Sequence, residues 1–315
     1  MKRGRFPASV IVLLLCALAL SGCATETLSE TGETSTVRVV ATLDFGHELI
    51  FDSAPEVVPG TSAMAALEQV AEAETAYGGG FVKGINGVSS KASGQDWFMY
   101  VNGIQTNVGA SDYALSDGDV ERWDFHSWRF RQFTPAIVAD YPEPFLHGYR
   151  GKLWPTVVVY DGELDDCAEQ IRSALQQIGV AQVSSCSVSQ LADADREGPN
   201  LVIVGTVDCA LISEMNEAWN RLGFFVRFAD GGMVVYDAEG EVEARYGSGC
   251  GVIQATQSPW NPKGIGVCEN VAWMVSGVDE EGVRRAADVL TRRPDELGSA
   301  WAAVAANGEV IKVPQ

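Results

Sequence analysis

The side chains best able to do covalent or metal chemistry are scarce in this sequence. Seven cysteines and three histidines stand among 315 residues, and their spacing argues against the common uses. No C-x-x-C pair occurs, and His47, His126 and His147 are scattered, so no zinc-ligand pattern forms. Cys209 falls between a strand-like run and a helix start, where a thiolate is favoured. No histidine follows His147, however, so a Cys-His dyad would need a partner from outside the C-terminal half. The G-x-S-x-G elbow, the phosphate-binding G-x-x-x-x-G-K-[ST] and H-E-x-x-H are all missing. The reading is a protein that is not an enzyme, holds no metal and requires no cofactor.

Position gives one cysteine a different chemistry. Lys2, Arg3 and Arg5 precede the apolar run Val10 to Leu20, and Ser21, Gly22 and Cys23 follow. A basic start and an apolar core too short for a permanent span describe a secretory signal over residues 1–22. The tetrapeptide LSGC, Leu20 to Cys23, resembles the bacterial lipobox, which implies that Cys23 becomes a lipid-modified N-terminus. The chain would then be anchored to the membrane by that lipid, at its outer, extracytoplasmic face. Residues 23–36 are rich in Thr, Ser, Glu and Gly and read as a flexible tether. The formal charge of −20 repels phosphates and excludes nucleic acid as a partner. Outside the cytoplasm disulfides are permitted. Among the five later cysteines the pairs nearest in sequence are Cys167 with Cys186 and Cys250 with Cys268, with buried reduced thiols the alternative.

Binding chemistry concentrates in one stretch, WFMYVNGIQTN at 97–107. Aromatic and β-branched residues running into Asn-Gly are a hairpin signal. Alternation puts Trp97, Met99 and Val101 on one face and Phe98 and Tyr100 on the other, so one set is expected in the core. Flat aromatics beside side-chain amides suit a large planar ligand with amide substituents.

Around this hairpin the sequence predicts strands at Val37 to Gly46 and His47 to Asp52. A helix capped by Thr61 or Ser62 runs to about Ala73, then come the strand FVKGING and a last strand at Asp119 to Trp128. In that last strand Trp123 and Phe125 share one face. Arg122, Asp124 and His126 share the other, and His126 is expected exposed. One helix on a mixed sheet is an α+β arrangement of the β-grasp kind, over residues 37–133.

The segments GTSAMAALEQV, FVKGINGV, DWFMYVNG and GASDYALSDGDVERWDF, in this order, resemble the C-terminal domain of transcobalamin and intrinsic factor. The same domain is known in bacterial surface proteins as DUF4430. The resemblance spans about residues 57–125 and implies a lid that closes over a corrinoid such as cobalamin. Its contact residues would be Trp97, Tyr100, Asn102, Gln105 and Tyr113. The helical companion domain of those carriers has no counterpart in the sequence, and Asp124-Phe125-His126 only grazes the cytosolic cobalamin signature.

A Pro-containing bridge at 134–155 is expected to lie against a domain. Beyond it, over 156–315, apolar strands alternate with amphipathic helices, which predicts an α/β domain with a mainly parallel sheet. Helices are expected at Leu164 to Ile178, Leu211 to Leu222 and, capped by Asp279, Glu280 to Arg292. A hairpin is expected around Glu239-Gly240. NLVIVGT and VAWMVSGVDEEGVRRAADVL are similar to segments of surface-layer proteins. The functional expectation is a lipid-anchored extracellular binding protein with a corrinoid as its ligand. The alternative is a surface-layer or envelope structural protein that contacts other envelope proteins or glycan.

Overall fold

The computed structural model describes residues 34–77, 80–89 and 94–315. The expected signal segment, Cys23 and most of the tether lie outside the described residues. The tether's last residues do not stay loose: Ser35–Thr36 pairs antiparallel with Glu56–Val57, and the Thr36 amide donates to Asp117 Oδ1 at 2.7 Å.

Five strands form the first sheet: β1 (Arg38–Leu43), β2 (Glu48–Ser53), β3 (Gln95–Val101), β4 (Ile104–Gln105) and β5 (Val120–Ser127). Their order is β2-β1-β5-β3-β4, with β5 parallel to β1 and antiparallel to β3. The turn between β1 and β2 is built on positive φ at Asp44, Phe45 and Gly46. Helix α1 (Ala63–Val70) starts where Ser62 Oγ accepts from the Ala65 amide, the capping the sequence predicts. Its Leu67 packs in one cluster with Val39, Trp97, Met99 and Trp123. Apolar residues on one face of the sheet thus meet the apolar stripe of one helix, which is why the two form together.

The second sheet has seven strands: β6 (Thr156–Tyr160), β7 (Val183–Ser187), β8 (Asn200–Thr206), β9 (Gly251–Gln257), β10 (Val271–Gly277), β11 (Ala302–Ala306) and β12 (Glu309–Val313). They run in the order β7-β6-β8-β10-β9-β11-β12. The expected mainly parallel sheet is in fact mixed. Strands β7, β6, β8 and β10 are parallel, while β9, β11 and β12 pair antiparallel. The reason lies in the connections, since parallel neighbours need a crossover and antiparallel ones do not. Helix α2 (Asp165–Gln177) supplies the crossover from β6 to β7, but no helix separates β9 from β10 and only Asn307-Gly308 separates β11 from β12.

Helix α3 (Ala210–Glu217) is shorter than its apolar stripe suggests. Helix α4 (Glu280–Arg292) matches its expected bounds, with Asp279 Oδ1 accepting from the Gly282 amide at 2.9 Å. Helices α2 and α4 cover one face of the sheet. On the other face lie α3 and an antiparallel three-stranded sheet of Val226–Ala229, Gly232–Tyr236 and Val242–Tyr246, which contains the hairpin expected around Gly240.

The two expected domains are not separated by a gap in packing. Residues 33–315 form one compact unit. One apolar cluster runs from Val39, Leu67 and Trp123 through Ala136, Val138 and Phe145 of the bridge to Ile171, Trp273 and Val283. The bridge lies against both layers, as its aromatics suggest.

The same packing corrects the reading of His126. Alternation along β5 holds, but the face carrying Arg122, Asp124 and His126 meets the second layer and not solvent. His126 is 2% exposed. Its ring stacks between Phe45 and Phe98, each 4.3 Å away between centroids, with Trp301 edge-on at 5.8 Å. Polarity on a strand predicts water contact only when nothing packs on that face. Here Asp124 bonds His126 Nδ1 at 2.7 Å and also accepts from the amides of Phe45 and Gly46.

All five cysteines after Cys23 are free thiols. Neither expected bridge forms, because the members of each pair belong to different packing clusters. Cys167 and Cys268 lie in the cluster under α2 and α4, whereas Cys186 and Cys250 pack in the cluster on the other side.

Candidate functional site

The five expected contact residues all lie near the β3–β4 hairpin, but they face in different directions. Asn102 (φ 53°) and Gly103 (φ 71°) make the two-residue turn, as Asn-Gly should. Asn102 is fully buried and its amide is used up: Nδ2 donates to Asp119 Oδ1 at 2.7 Å and to Gly148 O at 2.8 Å, while Oδ1 accepts from the Val120 amide at 2.8 Å. A Cβ on Gly103 would stand 3.0 Å from the Ile137 carbonyl, so the turn is pressed onto the bridge. Asn102 holds the fold and offers nothing to a ligand.

Tyr100 and Tyr113 are both at 0% exposure. Tyr100 points into the junction with the second layer, edge-on to Trp301 at 5.7 Å, and burial pushes its hydroxyl well above the usual range. The Tyr113 hydroxyl accepts from the Arg150 amide at 2.9 Å, its ring lies edge-on to Tyr149, and burial raises it likewise. Both sets of hairpin aromatics are therefore largely buried, one against α1 and one against the second layer. A single face had been expected in the core.

Trp97 and Gln105 remain. Trp97 is 5% exposed, with Nε1 donating to Val88 O at 2.9 Å. Gln105 is half-buried, with Oε1 accepting from the Thr134 amide at 3.0 Å. Their outer atoms line one open groove of about 450 Å³, together with Phe81, Phe98, Trp128 and Gln132; Asp96, Met99 and Thr106 complete its wall. Phe81 is 40% exposed. The Trp128 indole donates to Asp96 Oδ2 at 3.2 Å, which fixes its plane at the rim.

The groove exists because the hairpin is lopsided. Strand β3 has seven residues and β4 two, so β4 pairs only with Tyr100 and Val101. The Thr106 amide adds one bond to Met99 O at 3.1 Å. From Gln95 to Phe98 the outer edge of β3 has no strand partner among the described residues, and side chains from other elements form the opposite wall. The arrangement offers aromatic edges and faces for apolar contact, two side-chain amides and one carboxylate. That is equipment for holding a flat, partly polar molecule. Phe81, Phe98, Trp128 and Gln132 are not among the contact residues that the resemblance implies. The signal for them was the mismatch in strand length and the Trp just past the end of β5.

Two buried carboxyls of this layer, Glu121 and Asp119, are structural. Burial pushes the Glu121 carboxyl up to about 8, opposed by one bond from Trp123 Nε1 at 2.6 Å. Asp119 is raised by burial against bonds from the Ser116 amide and Asn102. Among the described residues no group of three or more His, Cys, Asp and Glu is placed to hold a metal ion. No described helix is long and apolar enough to cross a membrane.

These features define the class: a mixed α+β protein with an aromatic-lined groove beside the open edge of a sheet. Residues 60–127, which carry the hairpin and β5, are a DUF4430 domain, a family described as a domain of unknown function. No curated protein matches the chain. Among the solved structures that resemble part of it are haptocorrin in complex with Cbi, at 14% identity and TM-score 0.27, and a candidate metal-binding protein from Ruminococcus gnavus ATCC 29149, at 18% identity and TM-score 0.24. Each likeness covers 30% of this chain; it takes in 26% of haptocorrin and 97% of the Ruminococcus protein.

Proposed function

We propose that this protein is an extracellular binding protein held to the outer face of a membrane by a lipid on Cys23. Its ligand site is the groove beside β3. The ligand is a large flat molecule with amide substituents, for which a corrinoid is the first probe. The single observation carrying this reading is that Trp97 and Gln105 line one open groove of about 450 Å³ with Phe81, Phe98 and Trp128. Aromatic side chains bury area at low entropy cost, and Gln105 and Gln132 answer amide groups on the ligand. The resemblance of residues 57–125 to the corrinoid carriers' lid domain directs the choice of probe. The packing of α1 on the mixed sheet supports a β-grasp description.

The test is titration of the full-length protein with cobalamin and cobinamide, followed by corrin absorbance and Trp fluorescence. Trp128 and Phe81 are the residues to change, because both reach the surface, whereas Tyr100 and Tyr113 would unfold the core. Saturable binding that weakens about tenfold in Trp128→Ala fits a rim aromatic worth about 1–2 kcal/mol. No binding of either corrinoid would sink this ligand assignment.

A second reading is an envelope scaffold, without a small-molecule ligand, that contacts other envelope proteins or glycan. It is favoured by the burial of Tyr100, Asn102 and Tyr113, which leaves the hairpin mostly structural.

A further inference from the structure

We infer that a second cleft, between the two layers and built on Arg122, is a binding site for a small neutral polyol such as a monosaccharide. It lies apart from the groove beside β3 and does not depend on it. Arg122 sits on the face of β5 that meets the second layer, and its side chain is 1% exposed. Its Nε and Nη2 both donate to one oxygen, Asp140 Oδ1, at 2.9 and 2.6 Å. Nη1 has no hydrogen-bond partner among the described residues. Asp140 Oδ2 likewise has no hydrogen-bond partner among the described residues, and buried polar atoms left unanswered are costly, so the pair calls for a group that both accepts and donates.

Arg122 lines a cavity of about 320 Å³ whose walls include Tyr141, Pro142, Ile178, Pro294 and Asp295. The volume falls at the small end of ligand sites and suits one sugar ring. The charges decide against an anion. Arg122 is neutralised by Asp140, and Arg38, also in the lining, is held by Asp52 through Nε at 2.9 Å and Nη2 at 2.6 Å. Asp295, for which no ion pair is found among the described residues, then adds a further carboxylate. An anion would meet net negative charge. A hydroxyl group meets both needs, since it accepts from Arg122 and donates to Asp295. The ring of Tyr141 and the faces of Pro142, Pro294 and Ile178 supply apolar surface for the C–H face of a sugar.

The experiment is a heteronuclear NMR titration of the full-length protein with methyl glucoside, methyl galactoside and N-acetylglucosamine, with sulfate as the anionic control. At least one sugar is expected to shift the Arg122 and Tyr141 signals saturably. Tyr141→Ala should weaken that binding about tenfold or more. Ile178→Arg, on the exposed rim, should do the same while leaving the core untouched, and so serves if Tyr141→Ala does not fold. Trp128→Ala should leave sugar binding unchanged, which separates this site from the groove. The inference is overturned if no sugar shifts those signals at about 20 mM, a level that would reveal even millimolar affinity. It is also overturned if sulfate binds there and the sugars do not, or if sugar binding is indifferent to both cleft variants.

Discussion

At the scale of single residues, the side chains that looked most like ligand contacts are those the fold uses most heavily. Asn102 ties the hairpin to Asp119, Val120 and Gly148 at once, at a left-handed φ that asparagine tolerates. Asn102→Ala should therefore cost about 2–4 kcal/mol of stability in denaturant unfolding, because buried partners are left unpaired. Little change would mean that the Asn102 bonds are not made. Glu121 gives a pH signature. Its folded carboxyl, raised to about 8 from an ordinary 4.5, binds its proton more tightly than the unfolded chain does. Its contribution is thus full below about 4.5 and is lost as pH rises through about 8, a swing on the order of 5 kcal/mol. Glu121→Gln should flatten the fall in unfolding midpoint between those limits; an unchanged slope would contradict the assignment. The Asn-Gly turn was legible because its backbone geometry is local. The burial of His126 was not, because it depends on Phe45 and Trp301, from 81 residues upstream and 175 downstream.

At the scale of elements, caps and periodicity were readable where a local rule sets them. Ser62 and Asp279 start α1 and α4 as expected. The β11–β12 hairpin was missed, although Asn307-Gly308 is the same turn signal, because AAVAA carries none of the aromatic weight that marks β3. Close approach of elements is likewise invisible in sequence. A Cβ on Gly282 of α4 would stand 2.1 Å from Cys250 O, and one on Gly251 of β9 would stand 2.0 Å from Gly282 O. Gly282→Ala should therefore destabilise by at least about 2 kcal/mol even though alanine is the better helix former. An unchanged or raised midpoint would show that α4 does not sit this close to β9.

At the scale of the whole molecule, the sequence suggested two domains and a bridge, and the packing joins them. Because one apolar cluster passes from Leu67 through Val138 to Trp273, the two layers should unfold in a single transition. Calorimetry and Trp fluorescence should then give coincident midpoints; two resolved transitions would show that the layers are independent. The joining also explains why the hairpin's ligand surface shrank. The second layer takes Tyr100 and His126 and the bridge takes Asn102 and Tyr113, leaving the outer edge of β3 as the part of the hairpin still open to a partner. The most direct measurement of the central claim is corrinoid titration of the wild-type protein beside Trp128→Ala. Saturable binding to wild type, weakened about tenfold in a folded Trp128→Ala protein, is the predicted result. Binding of equal strength in both, or in neither, would contradict the groove as the corrinoid site.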